Sequence, residues 1–227
     1  MTSIYLTLLR HGLCFGETEG RYIGHTDAPL TEEGRSQLCR MREDNLYPQA
    51  DALFVSPLKR CAETAQILYP DRQIMELPGL KEYFFGEFEN KSPEQLQNHP
   101  LFARWIAGEP GITPPFAEDL ARFQKRISDT FVKLCDGLLK TGTGHSVVVT
   151  HGGIIMALLA AFGLPEAPMH EWLCPGGTGY TLRLEPSLWM RGHKCEVMAM
   201  SPEEPGKADE LPEERRLWLE LEGTDFV

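Results

Sequence analysis

This sequence predicts an α/β protein: a three-layer sandwich in which a mostly parallel central sheet is flanked by helices. Three observations predict it. Short apolar, β-leaning runs alternate with amphipathic helical patterns along most of the chain. Two of those runs, Ile4–Leu9 and Ser146–Thr150, stop at or just before a histidine followed by glycine, His11-Gly12 and His151-Gly152. Strands of a parallel sheet deliver their last side chains in this way to the carboxyl edge, where ligands bind. Finally, 227 residues with 42% apolar and 24% charged side chains can bury one large core.

The elements follow in order. Ile4–Leu9 reads as a strand. Thr31 caps a helix whose first turn carries Glu32 and Glu33 and which is expected to run to about Arg42. Ala52–Val55 is a short strand. Ser56-Pro57 then offers a cap and a proline at the first helical position, for a helix to about Leu68. Ser92-Pro93-Glu94-Gln95 repeats that start and adds a capping-box glutamine. Between Glu118 and Lys140, residues Leu120, Phe123, Ile127, Phe131, Leu134 and Leu138 form one apolar helical stripe. Ser146–Thr150 is a buried-type strand, followed by an apolar helix to Phe162. Gly179–Leu184 and Glu196–Met200 complete the strands. The chain shows no repeat and no linker, so 1–227 is expected to be a single domain. Residues 83–117, with their prolines and glycines, read as a lid-like insertion over the sheet, and 201–227 as an acidic C-terminal extension.

Bulk properties narrow the function. The net charge of −11 disfavours nucleic acid as a partner. Nine acids and three bases lie in 201–227, so the remainder is only mildly acidic and can hold a local basic pocket. No apolar run is long enough for a membrane span, and no basic stretch precedes the N-terminal apolar run, so no signal peptide is read. The six cysteines are scattered without a Cys-x-x-Cys pair, which points to reduced thiols in a cytoplasmic protein. Gly-x-x-x-x-Gly-Lys-[Ser/Thr], Gly-x-Gly-x-x-Gly and His-Glu-x-x-His are all absent. His25, His99, His145, His170 and His193 are taken as packing or surface residues, and Glu87 and Glu89 as a solvated face. Tyr83-Phe84-Phe85 is taken as core.

If the strands are neighbours, His11, His151, Arg10 and Arg60 converge at one sheet edge close to helix N-termini, which describes a phosphate site. The residues also match a known pattern. Leu9-Arg10-His11-Gly12 comes first, then Gly20-Arg21-Tyr22-Ile23-Gly24-His25-Thr26-Asp27-Ala28-Pro29-Leu30-Thr31. Next are Ser56-Pro57-Leu58-Lys59-Arg60-Cys61-Ala62-Glu63-Thr64-Ala65 and Leu80-Lys81-Glu82-Tyr83-Phe84-Phe85-Gly86-Glu87-Phe88-Glu89, and last Val149-Thr150-His151-Gly152-Gly153. In this order and rough spacing, over residues 4–165, the chain resembles the histidine phosphatase superfamily, in the branch of phosphoglycerate mutases, broad phosphatases and α-ribazole phosphatases.

The resemblance implies roles. His11 would be the nucleophile that takes the phosphoryl group. Arg10, Arg60, His151 and Gly152 would line its pocket, and Ile23 and Gly24 would contact substrate. Glu82 would protonate the leaving oxygen and then activate water. No metal or cofactor is implied. Cations that stabilise a dispersed phosphoryl charge suit this chemistry, and they should lower the pKa of His11. The chain departs from the pattern at Leu13, Cys14, Glu17 and Met156. Where the family commonly has Glu-Thr and then asparagine, Leu13, Cys14 and Glu17 stand; many phosphatases have arginine at 156. An inward Glu17 would repel substrate, and Cys14 reads as a small filler.

The expected activity is a metal-independent phosphomonoester hydrolase acting on a small phosphorylated metabolite, such as α-ribazole phosphate or a nucleoside-type phosphate. A phosphoglycerate mutase is the first alternative, although 83–117 offers only Lys91 and Arg104 for a second anionic group, beside Phe84, Phe85, Phe102, Trp105 and Phe116. A non-catalytic phospho-ligand binder is the second. The oligomeric state is left open.

Overall fold

The computed structural model describes residues 3–44 and 47–202. Among the described residues, seven strands form one sheet: β1 (Ile4–Arg10), β2 (Ala52–Val55), β3 (Ile74–Glu76), β4 (His145–Thr150), β5 (Gly163–Leu164), β6 (Gly179–Leu184) and β7 (Cys195–Ser201). Their order is β3-β2-β4-β1-β6-β7-β5. The half that carries β1 to β4 is parallel throughout, and β6 runs antiparallel to both β1 and β7. The helices are α1 (Glu32–Glu43), α2 (Lys59–Leu68), α3 (Pro93–Leu96), α4 (Phe102–Ile106), α5 (Leu120–Thr141), α6 (Gly152–Phe162) and α7 (Pro186–Gly192).

Strand alternation divides the sheet's side chains between two cores. Leu6, Leu8 and Val148 face one side, where Phe123, Ile127, Phe131, Leu134 and Leu138 of α5 meet Ile154, Ile155, Leu158 and Leu159 of α6. Leu9, Leu53, Val55, Val147 and Val149 face the other, against Leu38 of α1 and Cys61, Ala65 and Leu68 of α2. Burying such side chains contributes about 1.5–3 kcal/mol each, far more than helix propensity does, so the α5 stripe fixes that helix on the sheet. A third, small cluster of Phe88, Leu96 and Phe102, with Tyr22, Phe85 and Trp105 packed on it, gives the 83–117 segment its own core.

Several local features differ from the sequence reading. The helix after β2 starts at Lys59 with Leu58 as its cap residue, because the Ser56 hydroxyl is engaged by His151 at 2.8 Å. Helix α5 starts at Leu120, since Asp119 caps it by accepting from the Arg122 amide while Glu118 pairs with Arg126. Leu120, in the first turn, is 52% exposed. The Ser92 capping box forms as predicted. Strands β3 and β5 and helix α7 were not anticipated: β3 and β5 have only three and two residues, and α7 is held by tertiary contacts, with the Trp189 indole donating to Asp136 at 2.8 Å. Ser201 closes β7, and the acidic stretch from 203 lies outside the described residues. Among the described residues no helix is long and apolar enough to cross a membrane.

Candidate active site

Three adjacent parallel strands end side by side. Arg10 is the register partner of Thr150, and Val55 that of Val149. The ladder continues one residue further, with the His11 amide donating to Thr150 and the Ser56 amide to Val149. His11, His151 and Ser56 therefore emerge together at the carboxyl edge, and α2 and α6 begin there. The geometry brings together the residues that the sequence picked from three distant segments.

His11 is 4% exposed and His151 and Arg60 are fully buried. The two imidazole centroids are 5.2 Å apart. Nδ1 of His11 lies 2.8 Å from the Gly12 carbonyl. A carbonyl can only accept, so Nδ1 carries the proton and Nε2 presents a lone pair. Arg60 Nε–H points at that lone pair at 3.2 Å and at Nδ1 of His151 at 3.3 Å. His151 accordingly accepts at Nδ1 and donates from Nε2 to Ser56. Burial first, then the Arg60 charge, lowers the His11 pKa from 6.5 to about 3, and the same two causes hold His151 well below its ordinary value. Both imidazoles are neutral at physiological pH. The far end of Arg60 is fixed by carbonyls: Thr26 at 2.9 Å, Gly24 at 2.8 Å and Ile23 at 3.4 Å. Ile23 and Gly24 thus meet the site through their backbones, gripping Arg60.

Arg10 donates to the Cys174 carbonyl and to Glu17, while its Nε is buried with no hydrogen-bond partner. A Cβ added at Gly152 would lie 3.4 Å from that Nε, so the glycine lets the first turn of α6 approach the guanidinium. A buried, unsatisfied guanidinium N–H beside a helix N-terminus is a ready anion donor. Glu17 does point inward, accepting from Arg10 at 2.9 Å and from the Cys14 amide at 3.0 Å. Burial raises its pKa, but His11, the Cys14 amide and Arg10 outweigh burial and the net shift is downward. Burial and Glu17 push the Cys14 thiol up to about 12.

Glu82 is nearly buried and accepts from its neighbour Tyr83 at 2.9 Å and from the Gly153 amide, in the first turn of α6, at 3.1 Å. Burial outweighs those bonds and raises its pKa. Its segment is held by a residue that sequence reasoning missed. Arg126 of α5 donates to the carbonyls of Gly79 and Lys81, both at 2.8 Å, and is itself anchored by Glu118. Three further supports were missed. Ser56 orients His151, and the Thr64 hydroxyl accepts from the Gly12 amide at 3.0 Å. Glu89, read as solvated, instead accepts from the Gly24, Thr26 and Phe85 amides. It is a loop anchor, because three unpaired backbone donors face it. Only Ser56 carried a signal: it stood where a helix should have started. Met156 lies in α6 and packs on the core.

A model of the histidine phosphatase superfamily (branch 1) matches residues 6–190. The chain belongs to the histidine phosphatase superfamily. It is a phosphatase enzyme with homologues that act on small phosphorylated substrates. An adenosylcobalamin/α-ribazole phosphatase of Salmonella typhimurium is 25% identical over 198 residues, covering 86% of this chain and 92% of that protein. A 2,3-bisphosphoglycerate-dependent phosphoglycerate mutase 2 of Gloeobacter violaceus is 30% identical over 164 residues, covering 68% and 73%. Among solved structures, a putative α-ribazole-5′-P phosphatase from Escherichia coli superposes with a TM-score of 0.75 at 22% identity, covering 88% of this chain and 97% of that one. That likeness bears on the fold of this phosphatase, which is α/β with a mostly parallel sheet.

Proposed function

We propose that this phosphatase hydrolyses a small phosphate monoester through a phosphohistidine on His11. The observation that carries the reading is the His11 Nε2 lone pair, set by the Gly12 carbonyl and surrounded by donors. Arg10, Arg60 and the Gly152 turn hold the phosphoryl oxygens, with His151 as the neutral wall of the pocket. Nε2 attacks phosphorus as the bond to the leaving oxygen breaks, and Glu82 gives that oxygen its proton. The resulting Glu82 carboxylate then takes a proton from water, which attacks phosphorus and releases His11 and inorganic phosphate. Protonation of Glu82 favours a bound dianion, so its raised pKa suits the first step. Glu17 occupies donors on Arg10 and Cys14 that a substrate would otherwise use, so binding must displace it.

Hydrolysis is favoured over mutase chemistry by the 83–117 segment, which serves as a lid on a single domain. Arg104 is already paired with Glu109 at 2.8 Å, and a second anionic group would find little else there. Phe116 is 83% exposed and Phe84 stacks on His25 at 5.2 Å, surfaces suited to a flat, uncharged leaving group such as α-ribazole or a nucleoside. The six free thiols fit a cytoplasmic setting. Assays with p-nitrophenyl phosphate, α-ribazole phosphate, nucleoside monophosphates and 3-phosphoglycerate test this. Release of inorganic phosphate from the aromatic esters is expected, with mutase turnover far lower. Comparable mutase turnover, or binding without turnover, would defeat the proposal.

A further inference from the structure

One cluster in this site joins His11 to two side chains, Cys14 and Glu17, that the proposed phosphoryl transfer gives no chemical role. A ring nitrogen of His11, Sγ of Cys14 and a carboxylate oxygen of Glu17 all lie within 4.8 Å of one another. We propose that these three side chains form a binding site for a thiophilic divalent cation, with Zn2+ the ion whose ligand preferences they match.

The donor set is one imidazole, one thiolate and one carboxylate, the three side-chain types that bind Zn2+. Tetrahedral Zn2+ with bonds of about 2.0–2.3 Å places its ligand atoms roughly 3.3–3.7 Å apart. Side-chain rotations that draw the three atoms together by about an ångström therefore suffice. Three protein ligands leave a fourth position for water or a phosphate oxygen.

Two features of the site favour the ion. The Nδ1–H of His11 is bonded to the Gly12 carbonyl at 2.8 Å, so Nε2 is the nitrogen offered. That is the outer-shell arrangement that orients histidine toward a metal. Charge also balances: a thiolate and a carboxylate match the two charges of the ion, so the nearby arginines meet no net cation. Neither arginine is stranded by the change. Arg60 Nε keeps His151 at 3.3 Å, and Arg10 keeps the Cys174 carbonyl at 3.0 Å. Binding is balanced by one proton: the Cys14 S–H bond breaks, S–Zn forms, and the proton leaves to solvent, while His11 gives its lone pair and Glu17 its existing negative charge. The site needs Cys14 and Glu17, which stand where the resemblance expects threonine and asparagine. If His11 is the nucleophile, as proposed above, the ion takes its attacking lone pair and stops turnover.

The test reads binding without reference to catalysis. Metal-free protein is titrated with Co2+, whose thiolate charge-transfer absorption reports a Cys–metal bond, and then with Zn2+ by calorimetry in buffers of different ionisation enthalpy. One ion per chain is expected, with about one proton released and a charge-transfer band that Zn2+ displaces. Cys14→Thr should abolish the band, and Glu17→Gln should weaken Zn2+ binding roughly 100-fold, at or beyond the loss seen for an outer-shell partner. Cys39→Ser, which removes an exposed thiol, should leave both unchanged. Thermal melts establish that each variant is folded. Absence of a band, or a band that survives Cys14→Thr and disappears with Cys39→Ser, overturns the site. Either result stands whether or not phosphatase turnover is found.

Discussion

At the scale of single residues, the site depends on holding ionisable groups in chosen protonation states. His11 is kept neutral by burial and by Arg60, and Glu82 is drawn toward its protonated form by burial. Glu82→Gln separates the two steps assigned to that residue. Alkyl phosphates need an acid for their poor leaving group, and their turnover should fall about 10²–10⁴-fold. With p-nitrophenyl phosphate the first step needs no acid, so a burst of one product per enzyme should precede slow turnover; steady turnover without a burst would remove Glu82 as the base. In the unaltered enzyme, kcat/KM for alkyl esters should decline as pH rises through the Glu82 pKa, which lies above the ordinary carboxylate value because of burial. A pH profile that rises there contradicts the acid role. Glu17 offers a prediction of opposite sign. Its carboxylate competes with the substrate for Arg10 and the Cys14 amide, so Glu17→Gln should lower KM about tenfold, an effect of ~1.4 kcal/mol. A raised KM would show that the carboxylate assists binding.

His11, His151, Arg10 and Arg60 were legible because each sits at or just after a strand end, or in the first turns of a helix that follows one, and local pattern reveals such places. Their supports were not. Arg126 acts on residues 79–82 from a helix more than forty positions away in sequence, and nothing in its own neighbourhood distinguishes it from a solvated helix arginine. Glu89 is opaque for the same reason, since the amides it serves include two near position 25.

At the scale of elements, the long strands and α5 follow from periodicity, whereas β3, β5 and α7 owe their existence to neighbours. The 23–26 loop shows how an element without regular structure positions a charge. Its carbonyls grip Arg60 while Glu89 holds its amides, and a Cβ added at Gly24 would come to 2.0 Å from the Tyr83 carbonyl. Gly24→Ala should therefore force the loop outward, lowering stability by about 1–3 kcal/mol and reducing kcat through loss of Arg60 alignment. Gly192→Ala is the comparator, since a Cβ there meets nothing within 4 Å. Thermal melts and steady-state kinetics on both variants check this; equal behaviour of the two would show that the loop is free to adjust.

Across the whole molecule, the sheet order places β2, β4 and β1 side by side and parallel, and that placement alone gathers residues 10–11, 56–60 and 151–153 at one edge. The 83–117 segment carries its own small aromatic core, and its Tyr83 also packs on the larger core of the sheet. The most direct measurement of the central claim is a rapid-quench experiment with substrate labelled in its phosphoryl group. The enzyme should carry label that survives alkali and is lost in acid, located on His11 by peptide mass analysis and missing from His11→Ala. Hydrolysis that proceeds with no labelled enzyme at any quench time, or with label on another residue, would contradict it.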